Sequence, residues 1–79
     1  MVRVITQGRF RVYVWQEEGG QHHRPHCHVE WADGRCVIAL DDLTVLAGHA
    51  TPEAHRVVAA HWGQITAAWS ALNPSGEES

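Results

Sequence analysis

Residues 25–40 read Pro-His-Cys-His-Val-Glu-Trp-Ala-Asp-Gly-Arg-Cys-Val-Ile-Ala-Leu and carry the strongest local fold signal in the chain. Asp33-Gly34 separates two β-rich runs, and an Asp-Gly pair in this position is typical of a two-residue hairpin turn. The turn predicts three pairs on one apolar face: Trp31 with Cys36, Val29 with Ile38 and Cys27 with Leu40. The opposite face then carries five other side chains: His26, His28, Glu30, Val37 and Ala39.

The same stretch begins with the densest group of histidines in the chain. Four of the seven histidines lie in residues 21–29, and His26 and His28 follow Pro25 directly. Residues two apart share a face only in an extended chain. Pro25 favours this conformation, because proline lacks an N–H and belongs at the first residue or edge of a strand. We therefore expect both imidazoles on the sheet face away from the main core.

The residues on either side predict an α+β domain. Residues 2–5 and 9–15 form a second β-rich pair of runs with Phe10, Val12 and Val14 toward the core. Residues 41–50 are expected to be a connector with one short helical turn. Thr51-Pro52-Glu53 is typical of a helix start, and an apolar stripe follows at three- and four-residue intervals: Val58, Trp62, Ile65, Trp69 and Leu72.

This pattern predicts a four-stranded antiparallel sheet of two β-hairpins, with one C-terminal helix over residues 52–72 packed on one face. The single domain should span residues 1–72, followed by a flexible acidic tail over residues 73–79. Cys27 and Cys36 are expected about four residues out of step along their strands, beyond disulfide reach. His61 should be hydrogen-bonded at the core edge, and His55 should be exposed.

Composition limits the classes of function. The chain has 79 residues and a net charge of −3, which argues against a generic polyanion-binding protein. The charge is uneven, since residues 1–35 hold five of the six arginines. No apolar run approaches the roughly 20 residues of a membrane span, and the amino terminus does not resemble a signal peptide. A cytoplasmic protein with reduced thiols and no membrane contact is expected.

The predicted outer face combines chemistry suited to RNA or to proton transfer. Arg9, Arg11, Tyr13 and Trp15 alternate with the core residues of their strand and would lie beside the histidine pair. Arginine holds phosphate and aromatic rings stack on unpaired bases, while two imidazoles could act as acid and base. The candidate catalytic residues are His26, His28, Arg11 and Tyr13. The alternative is that a partner protein binds over this face of the sheet.

Metal binding is a further hypothesis for the histidine pair. His26 and His28 on one face would supply two ligands for Zn or Ni. A third ligand would have to come from His23 or His22 in the loop, from Glu30 on the same face, or from a side chain that approaches across the sheet. The chain contains no complete metal motif such as paired Cys-x-x-Cys.

Together these residues resemble the bacterial family called domain of unknown function 4160, over about residues 1–72. The similarity lies in a Gly-Arg-Phe strand, the Pro-His-x-His-Val segment at residues 25–29, an Asp-Gly hairpin, and His61 eight residues before Trp69. Family members typically read Pro-Pro-His-Val-His-Val, so Arg24 and Cys27 depart from that pattern. The resemblance implies small prokaryotic proteins, often encoded beside another small domain in pairs suggested to be toxin–antitoxin-like.

The leading hypothesis is one member of a two-gene toxin–antitoxin-like module, with the toxin as the first role to test. Its His/Arg face would engage RNA or a small protein encoded by a neighbouring gene, with a homo-oligomer left open. The alternative is a metal-binding or regulatory protein-interaction module that uses His26 and His28 as ligands without catalysis.

Overall fold

The structure is a computed structural model that describes residues 2–16 and 24–73. Five strands form one antiparallel sheet in chain order: β1 (Val2–Gln7), β2 (Phe10–Val14), β3 (His26–Trp31), β4 (Gly34–Ala39) and β5 (Val45–Gly48). Two helices follow, α1 (Pro52–Ala60) and α2 (Trp62–Leu72). The predicted α+β class is confirmed, but the sheet has five strands rather than four and the helical segment is divided into two.

The first hairpin forms as predicted. Strands β1 and β2 are joined by a tight turn at Gly8, whose φ of 57° lies in the left-handed region that glycine adopts readily. Phe10, Val12 and Val14 are buried, which confirms their assignment to the core.

The central hairpin pairs in a register two residues away from the predicted one. The observed pairs are Trp31 with Gly34, Val29 with Cys36 and Cys27 with Ile38. The turn therefore comprises Ala32 and Asp33, and Gly34 is a strand residue. Its position is explained by packing, because a Cβ on Gly34 would lie 3.1 Å from the Trp31 indole. A shift of two residues leaves every side chain on its predicted face.

Strand β5 replaces the connector that was predicted for residues 41–50. It pairs with β4 through a turn in which the Ala39 N–H donates to the Thr44 carbonyl at 2.8 Å. Leu43 in this turn has a φ of 63°, which residues with side chains rarely adopt. The turn contains no Asn-Gly or Asp-Gly pair, and the apolar run Val45-Leu46-Ala47 is short. For these two reasons the sequence pattern did not predict a strand here.

The predicted helix begins as expected and then bends. Thr51 accepts a hydrogen bond from the Ala54 N–H at 3.1 Å, which confirms the N-cap. At His61 the backbone leaves helical geometry, with φ −116° and ψ 21°, so the single helix over residues 52–72 is wrong. Trp62 is consequently 46% exposed rather than part of the core stripe, and its Nε1 donates to the Leu40 carbonyl.

The core lies between the sheet and the two helices. Strand residues and helix residues form one buried cluster that includes Val12, Val29 and Ile38 from the sheet with Val58, Ile65 and Trp69 from the helices.

Cys27 and Cys36 belong to this cluster as free, buried thiols, and they are offset by two residues along the paired strands rather than by the predicted four. Burial, and then the nearby Cys36, raises the pKa of Cys27 to about 12, so this thiol is not a nucleophile near neutral pH.

Asn73 caps α2, and residues 74–79 of the predicted tail lie outside the described residues.

Replacing Gly48 with alanine should destabilise the β4–β5 pairing. Gly48 has a φ of 77°, and an added Cβ would lie 2.5 Å from the Arg35 carbonyl oxygen. We expect a loss of roughly 1–3 kcal/mol in the free energy of unfolding, measured by chemical denaturation. Gly63→Ala is the matched control: no atom lies within 4 Å of its added Cβ, and because Gly63 is an exposed residue in the first turn of α2, a change within about 0.5 kcal/mol is expected. Equal effects of the two substitutions would contradict this assignment.

Candidate functional site on the outer face of the sheet

The sheet has an outer face, opposite the helices, on which two rows of side chains cross the strands. Besides His26 and Ala39 at one end, the strand pairings place nine residues in the central part of this face: Arg3, Thr6, Arg11, Tyr13, His28, Glu30, Arg35, Val37 and Ala47. In one row, Glu30 lies between Arg11 and Arg35 on the neighbouring strands. In the other, His28 lies opposite Tyr13. His26, the first residue of β3, lies on the same face two positions before His28, so all four predicted catalytic residues share it.

The outer face is more basic than the chain as a whole. The nine central residues include three arginines and one glutamate, whereas the chain carries a net charge of −3. Within residues 2–16 and 24–73, Arg11, Glu30 and Arg35 make no side-chain hydrogen bond or ion pair with one another or with other residues. These charges are therefore available to a ligand.

A row of four aromatic rings runs along the end of this face. Trp15 stacks on His28 with ring centroids 3.7 Å apart and an interplanar angle of 26°. His28 contacts His26 at 5.2 Å, and His26 contacts Trp69 of α2 at 4.9 Å. Both histidines are half-buried and alternate with the buried Cys27 and Val29, as predicted, and the ring of His26 also contacts a core tryptophan at the end of the strand.

Backbone hydrogen bonds hold the ends of this row. The Nδ1 atom of His26 lies 2.8 Å from the Arg24 carbonyl oxygen. Because a carbonyl only accepts, Nδ1 carries the proton in the neutral ring and Nε2 carries the lone pair. The Asn73 amide donates to the Trp15 carbonyl at 3.2 Å, which ties the end of α2 to the end of β2. The ring nitrogen Nε2 of His28 is buried.

An ion-pair cluster holds the chain where it enters β3. Arg24 donates to Asp41 at 2.8 and 3.2 Å and to Asp42 at 2.9 Å. The pKa of Asp42 is lowered, first by hydrogen bonds from Thr44 and also by the Arg24 charge. The pKa of Arg24 is raised, mainly by its hydrogen bond to Asp41. Arg24 therefore links the entry of β3 to the β4–β5 turn.

A groove of about 520 Å³ opens on the outer face next to the aromatic row. Trp15 and His28 line one part, Glu30 and Arg35 line a charged end, and Val37 with Ala47 contributes apolar surface. Its volume falls within the range of about 300–1,000 Å³ that is usual for small-molecule sites. The sequence prediction placed Val37 on this face but did not include Arg35, although Arg35 precedes the buried Cys36 and its alternation with the buried residues of β4 could have identified it.

The remaining residues that the sequence analysis singled out do not lie on the outer face, or they fall outside the described residues. Arg9 was expected on the outer face, but its Nη2 donates to Glu53 of α1 at 2.9 Å, because the turn after β1 reaches the helix layer. His61 bonds to Gln7 through Nε2 at 2.6 Å, which agrees with a hydrogen-bonded position. His55 was expected to be exposed, but it is half-buried and bonds to the Leu43 carbonyl. His22 and His23 lie outside the described residues.

Within the described residues, the histidine pair is not joined by a third metal ligand. In residues 2–16 and 24–73, no group of three or more histidine, cysteine, aspartate or glutamate side chains is arranged to hold a metal ion. The metal-ligand roles of His26, His28 and His23, and the catalytic roles of His26, His28, Arg11 and Tyr13, stay predictions.

Removing both histidine rings should cost stability as well as any binding function. Each aromatic contact contributes about 0.5–1.5 kcal/mol, so His26→Ala with His28→Ala should lower the free energy of unfolding by roughly 1–3 kcal/mol. Trp69→Ala should cost about 3–5 kcal/mol, because that ring is in the core. His49→Ala changes an exposed histidine and should stay within about 0.5 kcal/mol. Urea denaturation measures all three, and a histidine double variant as stable as His49→Ala would contradict the ring contacts.

Comparison with known proteins supports the family resemblance. Residues 10–70 match the family described as Domain of unknown function (DUF4160). No curated protein and no solved structure matches the chain. Across the described residues, neither helix is long and apolar enough to cross a membrane. The family match extends from the start of β2 into α2, well over half of the sequence, and so the chain belongs to the DUF4160 family.

Proposed function

We propose that the outer face binds single-stranded RNA, and that the chain is one member of a two-gene toxin–antitoxin-like module. The observation that carries the RNA proposal is the groove in which the stacked pair Trp15 and His28 lies beside unpaired arginine side chains. Sites for unpaired RNA combine positive charge for phosphates with aromatic rings for bases.

The distribution of the arginines supports this use of the outer face. Arg9 and Arg24 form ion pairs with acidic side chains, and Arg56 lies on α1. The other three arginines, Arg3, Arg11 and Arg35, all lie on the outer face. Among the described residues, three of the four arginines without an ion pair therefore lie on one surface, although the chain has a net charge of −3.

The aromatic row supports binding of unpaired bases. The rings of Trp15 and His28 are stacked and half-buried at the groove wall, so their positions are set before a ligand arrives. Bases in a duplex are already stacked on one another and do not present their faces to such a ring. Single-stranded RNA is the form that could use both the rings and the arginines.

Arg11→Ala and Arg35→Ala should weaken RNA binding and reduce its dependence on salt. For single strands, each lost phosphate contact should lower the slope of log affinity against log salt by about 0.7. Trp15→Ala should lower affinity by about 1–3 kcal/mol if a base stacks on the ring. Fluorescence anisotropy of a labelled single-stranded RNA, over a range of salt concentrations, measures both effects. Arg56→Ala on α1 is the control with the same charge change.

If the three outer-face variants bind RNA as the unmodified protein does, the RNA proposal is wrong. The proposed module is tested with the same variants. We expect expression of the chain alone to slow growth or cleave RNA, and co-expression with the neighbouring small protein to relieve this in a stable complex. Unchanged growth and intact RNA would remove the toxin role, and loss of the protein complex in Arg11→Ala would assign the face to the partner instead.

A second candidate function, metal binding, is favoured by one specific observation. The bond from His26 Nδ1 to a backbone carbonyl is the arrangement that commonly orients a metal-ligating histidine. His28 lies alongside with its ring centroid 5.2 Å away. His23 is the third ligand in this proposal, with Zn or Ni as the metal.

Elemental analysis of untagged protein decides this candidate. A stoichiometric amount of Zn or Ni that is lost in the His26→Ala, His28→Ala double variant would support it. The His49→Ala variant is the control, since it removes one histidine at an exposed position. Protein that holds no metal after purification and takes up none from added Zn or Ni would exclude it.

A further inference from the structure

We infer that the charged end of the groove recognises one unpaired guanine base, with Glu30 accepting and Arg35 donating hydrogen bonds. This inference rests on the proposed binding of RNA and adds a base preference to it. The groove residues that carry it are the facing pair Glu30 and Arg35 and the adjacent stacked rings of Trp15 and His28.

Glu30 is the residue that requires an explanation at a phosphate-binding surface. It is the one carboxylate among the nine outer-face residues defined above, and it is half-buried. Arg11 and Arg35 lie directly opposite it on both neighbouring strands, yet no side-chain ion pair joins them within the described residues. A carboxylate repels phosphate, so its presence in the groove favours a ligand that brings N–H donors to it.

Guanine is the base whose edge fits these two side chains. Its Watson–Crick edge carries two adjacent donors, N1–H and the N2 amino group, followed by the acceptor O6. A carboxylate can accept from both donors at once, in the bidentate manner that gives strong and directional bonds. Cytosine, adenine and uracil each present only one donor position on that edge.

The sheet places the two groups at a suitable separation. Residues directly opposite on antiparallel strands have Cβ atoms about 4.5–5.5 Å apart, so Glu30 and Arg35 can reach neighbouring atoms of one base edge. The groove extends from this pair to Trp15 and His28, whose rings would support the plane of the base. The free charge of Arg11 lies on the other side of Glu30, where it can hold a phosphate.

Four uridine hexanucleotides that differ at one central position provide the test. The position carries guanine, inosine, adenine or uracil, and inosine differs from guanine only by lacking the N2 amino group. We expect the guanine RNA to bind about 5- to 150-fold more tightly than the adenine or uracil RNA, with inosine between them. Fluorescence anisotropy at constant salt measures the four affinities.

Glu30→Gln should abolish the preference between guanine and inosine. Because it removes a negative charge, it should leave the affinity for the uracil RNA unchanged or higher. Glu53→Gln is the matched control: it makes the same charge change on α1, where Glu53 pairs with Arg9, and should keep the guanine preference. The inosine substitution is made in the ligand, so the comparison does not depend on how a variant folds.

The outcomes separate this inference from the proposed function. Binding of all four RNAs with equal affinity overturns the guanine inference and leaves RNA binding in place. No binding of any RNA overturns the proposed function, and free 5′-guanosine monophosphate then tests the groove by itself. Binding of that nucleotide, weakened in Glu30→Gln but not in Glu53→Gln, supports guanine recognition with a free nucleotide as its source. Its failure to bind as well overturns both proposals.

Discussion

Burial of one face of the central strand β3 determines the arrangement of the rest of the molecule. Cys27, Val29 and Trp31 alternate into the core, where full burial of a large apolar side chain contributes about 1.5–3 kcal/mol. A strand with this inner face has to present His26, His28 and Glu30 on the other side. The strands on either side of β3 pair in phase with it, and the outer-face rows therefore follow from the packing beneath them.

The charged residues divide into two groups with different physical roles. Arg9 and Arg24 form exposed ion pairs that link turns to other elements. Such pairs contribute at most about 1 kcal/mol each, so their value lies in positioning the first turn and the entry to β3. Arg11 and Arg35 form no such pairs with the described residues, and they differ from the first group in lying on strands rather than in turns.

The aromatic row connects the core to the outer face. Trp69 is part of the helix layer, while Trp15 lines the groove, and the two histidines contact each other between them. Substitutions in His26 or His28 therefore affect packing and any ligand site together. This coupling is the reason that binding measurements on these residues have to be read beside the unfolding free energies of the same variants.

The sequence by itself determined the α+β class, the two hairpins, the helix start at Thr51 and the residues that share a face of β2 and β3. These features depend on local chemistry: alternation along a strand, an N-cap hydroxyl followed by proline, and a proline directly before the extended His-x-His segment. Tertiary structure decided the pairing register, because the Trp31 indole packs over Gly34 and moves the turn by one residue. It also decided the strand β5, which forms through a left-handed Leu43 and the close approach of Gly48 to β4. Three contacts join residues more than 40 positions apart: the hydrogen bond of His61 with Gln7, the pairing of Arg9 with Glu53 and the contact of His26 with Trp69. Contacts of that length depend on how the helices pack on the sheet, and no local pattern in the sequence encodes them.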